Sequence, residues 1–241
     1  MLAFFEVIAY NPIYNILISF YNIVPFKDFG VAIILTTLLI RFLIYPISKK
    51  QITSQKKLQE LQPKIKEVQT KYKDNKEEQA KQMMTLYKEH GVNPVSGCLP
   101  IVIYLIVFIT IYQVIIHIAN AQFLADPAHL YSFVQNPGSI NHMFLSLLDL
   151  TKPNIALAIV TAIAQYFQMK MILGRQPAAA PSEKKGDMAD FASIMNKQML
   201  YIAPIATLFI GVTFPAALSL YWLTSTLFML AQQHVTLKLQ K

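Results

Sequence analysis

Cysteine is nearly missing from this chain: Cys98 stands alone among 241 residues. A single thiol excludes an intrachain disulfide and any cysteine-rich zinc site. Charge is scarce as well, at 14% of residues against 54% hydrophobic. Soluble domains carry roughly 25% charged residues, and the mean hydropathy of +0.40 points the same way. Neither G-x-x-x-x-G-K-[ST] nor G-x-G-x-x-G occurs, so the two common phosphate cradles are absent and no nucleotide engine is visible. Basic residues outnumber acidic ones 21 to 13, a net charge of +8. That excess would suit nucleic acid or anionic lipid. It lies between apolar blocks, which favours lipid, and no directly bound nucleic acid is expected. No catalytic group, cofactor or metal site stands out. These shortages leave an all-α polytopic membrane protein.

The stretch that organises the rest is residues 29–48, FGVAIILTTLLIRFLIYPIS. Twenty residues at 1.5 Å each span a ~30 Å hydrocarbon core. Arg41 sits near its middle, where a charge costs from ~3 to above ~10 kcal/mol. Thr37, Tyr45 and Ser48 share its face of the helix. Pro46 removes a hydrogen bond to the Phe42 carbonyl and predicts a bend at the inner end.

Residues 1–26 are apolar but interrupted by Glu6, Asn11-Pro12, Asn15 and Asn22. Ile13, Ile16, Leu17, Phe20 and Val24 recur at helical spacing, so the reading is an interfacial helix. A signal peptide is the rival, but no Lys or Arg precedes Lys27 and no A-x-A site is evident. Residues 49–93 hold 11 of the 21 basic and six of the 13 acidic residues. Leu58, Leu61, Ile65, Val68 and Tyr72 form a 3-4-3-4 seam, faced by Ala80, Met83, Met84 and Tyr87. The pattern predicts an antiparallel helical hairpin over 50–93, turning at residues 73–76, with Pro63 kinking its first arm. Its own seam and a hinge at each end are expected to be all that hold it. Gly91 and Asn93-Pro94 should end the second arm.

Further spans are expected over 99–118 and 154–173, joined by a loop with a turn at Asn136-Pro137-Gly138. Residues 174–198 read as a linker with a short helix near 188–197. The following 37 apolar residues are too long for one crossing, and Thr213-Phe214-Pro215 divides them into spans 199–213 and 216–235. Residues 49–93 and 174–198 carry 15 Lys and Arg, whereas 1–28 and 119–153 carry only Lys27 and Lys152. The positive-inside rule therefore places hairpin, linker and C-terminus in the cytoplasm and the N-terminus outside. Five spans satisfy that parity.

No predicted span holds a carboxylate, so Arg41 has no fixed counter-ion and is expected in a wet cavity. Counting from the outer ends puts Arg41, Gln165, Thr224 and Ser225 all ~14–18 Å deep. For Gln165, a plain interhelical hydrogen bond is an equal reading. His117 has Gln113 at i−4 but no evident second metal ligand, and reads as interfacial. Met83 and Met84 fit the seam, although methionine also accommodates varied apolar partners.

Three stretches, ILTTLLIRFLIYPISKKQ, MMTLYKEHGVNPVSGCLP and FPAALSLYWLTSTLFMLAQQ, resemble in order and spacing the signatures of the YidC-type membrane protein insertases. The resemblance covers residues 12–233. It implies five core spans, a cytoplasmic hairpin and an arginine-bearing groove open to cytosol and lipid, in the plasma membrane of a bacterium. It places the groove arginine on Arg41, a groove glutamine on Gln165 and an aromatic on Trp222. It implies newly made membrane proteins as clients, recruited by a hairpin surface that includes Met83, Met84 and Tyr87. Lipids, the ribosome and the Sec translocon are its candidate partners. Only His234, Lys238 and Lys241 are basic after Gln233, a departure from the family's long basic tail that puts tail-mediated ribosome docking in doubt. A large domain before the first span is not expected, which would be similar to Gram-positive-type members. An anion or solute transporter using Arg41 as its site is the alternative, against which no internal repeat and no pair of broken half-helices is found.

Overall fold

Asp28 marks where the first long helix begins. Its Oδ1 accepts a hydrogen bond from Val31 N at 2.9 Å and caps the helix, while its Oδ2 accepts from Leu145 N at 2.6 Å. The computed structural model describes residues 3–91, 98–122, 124–173 and 188–238. Its longer helices are α1 (Asn11–Ile23), α2 (Phe29–Leu43), α3 (Tyr45–Lys71), α4 (Lys76–Glu89), α5 (Cys98–Asn120), α6 (Ile155–Leu173), α7 (Met188–Thr213) and α8 (Ala216–Lys238). A two-stranded antiparallel ribbon, β1 (Met143–Phe144) with β2 (Leu148–Asp149), interrupts the otherwise helical order.

Residues 29–48 do not form one rod. Ile44 leaves the helical region (φ −89°, ψ 2°) and α3 departs from α2 at 63°. Pro46 falls in the first turn of α3, where its missing N–H costs nothing. The bend therefore precedes the proline by two residues, and 45–48 belong to the first arm of the hairpin. Arg41 consequently lies in the last turn of a 15-residue helix, not in the middle of a 20-residue one. The negative end of the helix dipole there favours its charge.

Helix α3 runs unbroken through Pro63, so the proline does not end the first arm. A turn after Lys71 leads into α4, which Asn75 caps by accepting from Glu78 N at 3.0 Å. Leu61, Ile65 and Leu86 are buried between the two helices, with Leu58, Val68, Met83 and Tyr87 packed around them. The seam on α4 thus runs through Leu86, not Met84, which is 54% exposed. Met83 and Met84 lie about 100° apart on the helix, so only one can face the partner arm. Nor is this pair held by its seam alone. Gln59 donates to the Ile172 carbonyl at 2.6 Å, Gln232 donates to the Tyr45 carbonyl at 3.1 Å, and Ser48 and Tyr104 share a hydrogen bond at 2.6 Å. Gly91, at φ +59°, follows α4; Asn93-Pro94 lies outside the described residues.

Helix α7 begins at Met188 and continues without a break to Thr213. The short helix expected near 188–197 is its first part, and the remaining linker, 174–187, lies outside the described residues. The backbone breaks at Phe214 and Pro215, as the residue pattern requires. By length and composition, Val102–Asn120 and Ile155–Ile172 are apolar enough to cross a membrane, and the bent pair α2–α3 brings the number to three among the described residues. Helix α8 has 23 residues, ample length at ~35 Å. Its Ser219, Ser225, Thr226, Gln232, Gln233 and Thr236 are buried, so its polarity points inward. Apolar side chains on α6 and α7, among them Ile163, Phe167, Ile205 and Phe209, instead face outward. That inversion of the soluble pattern is what a lipid solvent selects.

The end of the bundle that holds the loop after α5 is tied together by α1 and the turn before it. Tyr10, Tyr14, Leu17, Ile18 and Tyr21 are buried in the main core with Phe29, Ile33, Val114, Ile115 and Ile118. The asparagines and tyrosines of α1 bond to the loop after α5. Asn15 donates to the His129 carbonyl and accepts from Tyr131 N, Asn22 donates to the Gln135 carbonyl, and Tyr21 Oη accepts from Asn141 N. In the same loop the turn at Gly138 forms, with φ +70° and its N–H donating to Asn136 Oδ1.

Candidate functional site

Four helices converge on Arg41, which is only 7% exposed. Its Nε donates to Ser225 Oγ of α8 at 2.9 Å, and its Nη2 donates to the same oxygen. Its guanidinium carbon lies 4.8 Å from the ring centre of Tyr104 on α5, a cation–π contact. The Ser48 hydroxyl on α3 donates to the Ile44 carbonyl at 3.0 Å, so the Tyr104 hydroxyl is the donor in the Ser48–Tyr104 pair. One serine oxygen and one aromatic face thus hold a full positive charge. Nη1 is buried without a hydrogen-bond partner among the described residues. No carboxylate is among its partners there. A buried N–H left unpaired costs about 1–3 kcal/mol, more on a charged group. The site therefore holds a cation with spare donor capacity. Protein side chains enclose it, leaving it 7% exposed.

Gln165 on α6 engages the same turn of α8 from a neighbouring face. Its Oε1 accepts from Trp222 Nε1 at 3.3 Å and from Thr226 Oγ1 at 3.4 Å. Trp222 also meets the Phe108 ring edge-on at 5.3 Å. Arg41 and Gln165 are thus linked through residues 222–226, each by its own bonds. Thr224 donates to the Leu220 carbonyl of its own helix at 2.8 Å. Thr37 donates to the Ile33 carbonyl at 2.7 Å and lines a small apolar-walled cavity with Ile13, Leu17, Ile111 and Val114. Neither threonine bonds to Arg41. Sequence reasoning missed Tyr104 and Thr226. A lone tyrosine in the aliphatic run LPIVIYLIVF was the available signal for the first, and Thr226 at i+4 from Trp222 for the second.

His117 corrects a second expectation. It has two partners that no i±4 search on its own helix could reach: Asp126 Oδ2 lies 3.2 Å from its Nε2 and 3.8 Å from His129 Nε2. Both partners come from the loop after α5. Burial, together with the nearby Tyr14, Asp126 and Glu6, holds the Tyr10 phenol above its ordinary pKa. Its intact O–H shares a hydrogen bond with His117 Nδ1 at 2.8 Å.

Residues 19–241 match the model of the 60Kd inner membrane protein family. The chain belongs to that family. It is 33% identical over 210 residues to a protein of Oceanobacillus iheyensis named membrane protein insertase YidC, covering 86% of this chain and 73% of that relative. Proteins of the same name from Francisella tularensis subspecies novicida and tularensis are 31% identical over 241 residues, 98% of this chain. The chain spans 36% of their length. Membership of the 60Kd family and the outward apolar faces together make this an integral protein of a bacterial inner or cell membrane.

Proposed function

We propose that the chain inserts newly made membrane proteins into the bilayer, using Arg41 as the polar anchor for the segment that crosses, without nucleotide hydrolysis. The observation that carries the reading is a buried arginine that, among the described residues, has no carboxylate partner and one unpaired nitrogen. Relatives named membrane protein insertases support it. In this reading five spans, α2 and α5 to α8, surround the groove, with α3–α4 and the C-terminus in the cytoplasm. The α3–α4 pair recruits clients through Met83, Met84 and Tyr87. A polar client segment enters from the cytoplasm, displaces Ser225 or adds to Nη1, and its apolar flank passes into lipid. Thr37, Gln165, Trp222, Thr224 and Ser225 line the path. In this reading the groove opens where Tyr104 of α5 covers Arg41.

The energies allow it. Twenty Leu, Ile, Val or Phe residues release roughly 6 to 12 kcal/mol on insertion, against ~3 kcal/mol for one Asp at the centre. A membrane potential of ~100 mV adds ~2.3 kcal/mol for each acidic charge moved outward. Clients with short, lightly charged translocated segments are therefore favoured.

The test is reconstitution of the pure chain into nucleotide-free liposomes. Protease protection of a small double-span client reports insertion, and a parallel assay reports anion flux. Insertion without flux is expected. Saturable anion flux with no insertion above protein-free liposomes would replace this reading with the transporter one.

A further inference from the structure

At the outer end of the bundle, His117, Asp126 and His129 each offer one ligand atom within 4.8 Å of the others. We propose that these three side chains form a zinc-binding site that fastens the N-terminal segment and the outer loop to α5. Three features separate the cluster from a chance meeting of polar groups.

The first is aim. Both imidazoles turn Nε2 toward the same carboxylate oxygen, Asp126 Oδ2, at 3.2 and 3.8 Å. Ligands 2.0–2.1 Å from a tetrahedral Zn2+ stand about 3.4 Å apart. The two histidine–aspartate edges bracket that value, and the histidine–histidine edge, within 4.8 Å, closes by rotation of the rings. The second is support behind each ligand. His117 Nδ1 is held by Tyr10 Oη at 2.8 Å. His129 Nδ1 is held by Asn11 Oδ1 at 3.0 Å and faces Glu6 Oε1 at 3.4 Å. Asp126 Oδ1 accepts from Ala128 N at 2.9 Å, and Asp126 N donates to Tyr14 Oη at 2.7 Å. Metal-binding histidines regularly donate their second nitrogen in this way, which fixes the ring and frees Nε2. The third is composition. Two imidazoles and one carboxylate form an N2O set suited to Zn2+, with the fourth position left for water.

The ligands come from two separate stretches, and their supporting groups, Glu6, Tyr10, Asn11 and Tyr14, come from a third. A bound ion would therefore cross-link the outer face.

The experiment uses the full chain in detergent with any affinity tag cleaved, titrated with Zn2+ by calorimetry and with Co2+ by visible absorption. About one ion per chain is expected, with the intense Co2+ bands of four-coordination and a Zn2+-dependent rise in Tm that a chelator reverses. His129→Gln and Asp126→Asn should abolish all three. Tyr10→Phe, which keeps the ring and loses only the positioning hydroxyl, should weaken affinity about 10- to 100-fold. His90→Gln and His234→Gln should change nothing. Absence of saturable binding by the folded wild-type chain would overturn the site and leave an ordinary histidine–aspartate ion-pair cluster. Undiminished binding by His129→Gln would overturn it equally.

Discussion

Arg41 on α2 and Ser225 on α8, 184 residues apart in sequence, meet side chain to side chain, the arginine Nε donating to the serine Oγ at 2.9 Å. The serine is neutral, so the contact leaves the buried charge uncompensated. A buried arginine held by a carboxylate would be a structural pair, costly to break. One held by a hydroxyl and a tyrosine face can exchange its partner for a client's polar group without stranding an opposite charge.

A double-mutant cycle reads that relationship directly. Ser225→Ala should lower stability by about 1.5–3 kcal/mol, the worth of a hydrogen bond to a charged group. The same change in an Arg41→Ala background should cost little, because the donor is gone. Arg41→Ala alone should not lower Tm, since it removes an unpaired intramembrane charge. Melting curves of the four proteins in detergent measure the coupling, and additive losses would mean the pair contributes nothing.

Activity should separate by client. Arg41→Ala should reduce insertion of a client with an acidic translocated segment on the order of tenfold, matching a charge-assisted bond of ~1.5 kcal/mol or more. A matched neutral client should be nearly unaffected. Arg41→Lys should keep much of the activity, because positive charge is retained. Equal loss for acidic and neutral clients, accompanied by unfolding, would make Arg41 a structural residue.

The helices and their order were readable because each rests on local signals: apolar runs of membrane length, heptad spacing in 58–68, and Pro215 dividing 37 apolar residues. Arg41, Gln165 and Ser225 stood out as polar groups where polarity is costly. The mistakes share one cause, which is that partners distant in sequence decided the outcome. Pro63 does not interrupt α3. Leu86 displaces Met84 from the seam because the facing positions Leu61 and Ile65 select it. His117 looked solitary because Asp126 and His129 reach it only once the loop is held against α1. The asparagines of α1, which in the sequence only interrupt an apolar run, bind that loop.

Topology follows from charge and is checked with thiol reagents in a Cys98→Ser background. Ser139→Cys, in the loop after α5, should label from outside. Asp74→Cys, in the turn between α3 and α4 and 89% exposed at its side chain, should label only after permeabilisation. The reverse pattern would invert the groove's direction.

The α3–α4 pair offers a contrast between neighbouring residues. Leu86→Ala should destabilise it by about 2–5 kcal/mol, the usual cost of emptying a buried leucine site. Met84→Ala should cost under ~0.5 kcal/mol, as an exposed position does. If Met84 contacts clients, Met84→Glu should weaken crosslinking to a nascent client while hydrogen exchange in α3 and α4 stays unchanged. Faster exchange in Met84→Glu would place that residue in the seam instead.

Gly30, in the first turn of α2, sets two tendencies against each other. Alanine is the better helix former by ~1 kcal/mol, which on propensity alone favours Gly30→Ala. A Cβ at this position, however, would lie 2.2 Å from Phe144 Cδ2 and 2.5 Å from its Cγ. The ring has little freedom to yield, because Phe144 pairs with Leu148 across the ribbon and the next residue, Leu145, donates its N–H to Asp28. Overpacking of this kind costs about 1–3 kcal/mol, so the clash outweighs the propensity gain and Gly30→Ala should lower Tm. Phe144→Ala removes the ring and leaves only the Cβ contact at 2.7 Å, so the Gly30→Ala, Phe144→Ala double variant should lose less than the sum of the single losses. Both substitutions lie outside the Arg41 site, so insertion per folded molecule should be unchanged. A Gly30→Ala protein that melts at or above the wild-type temperature would show that the ribbon moves freely and does not clamp the start of α2.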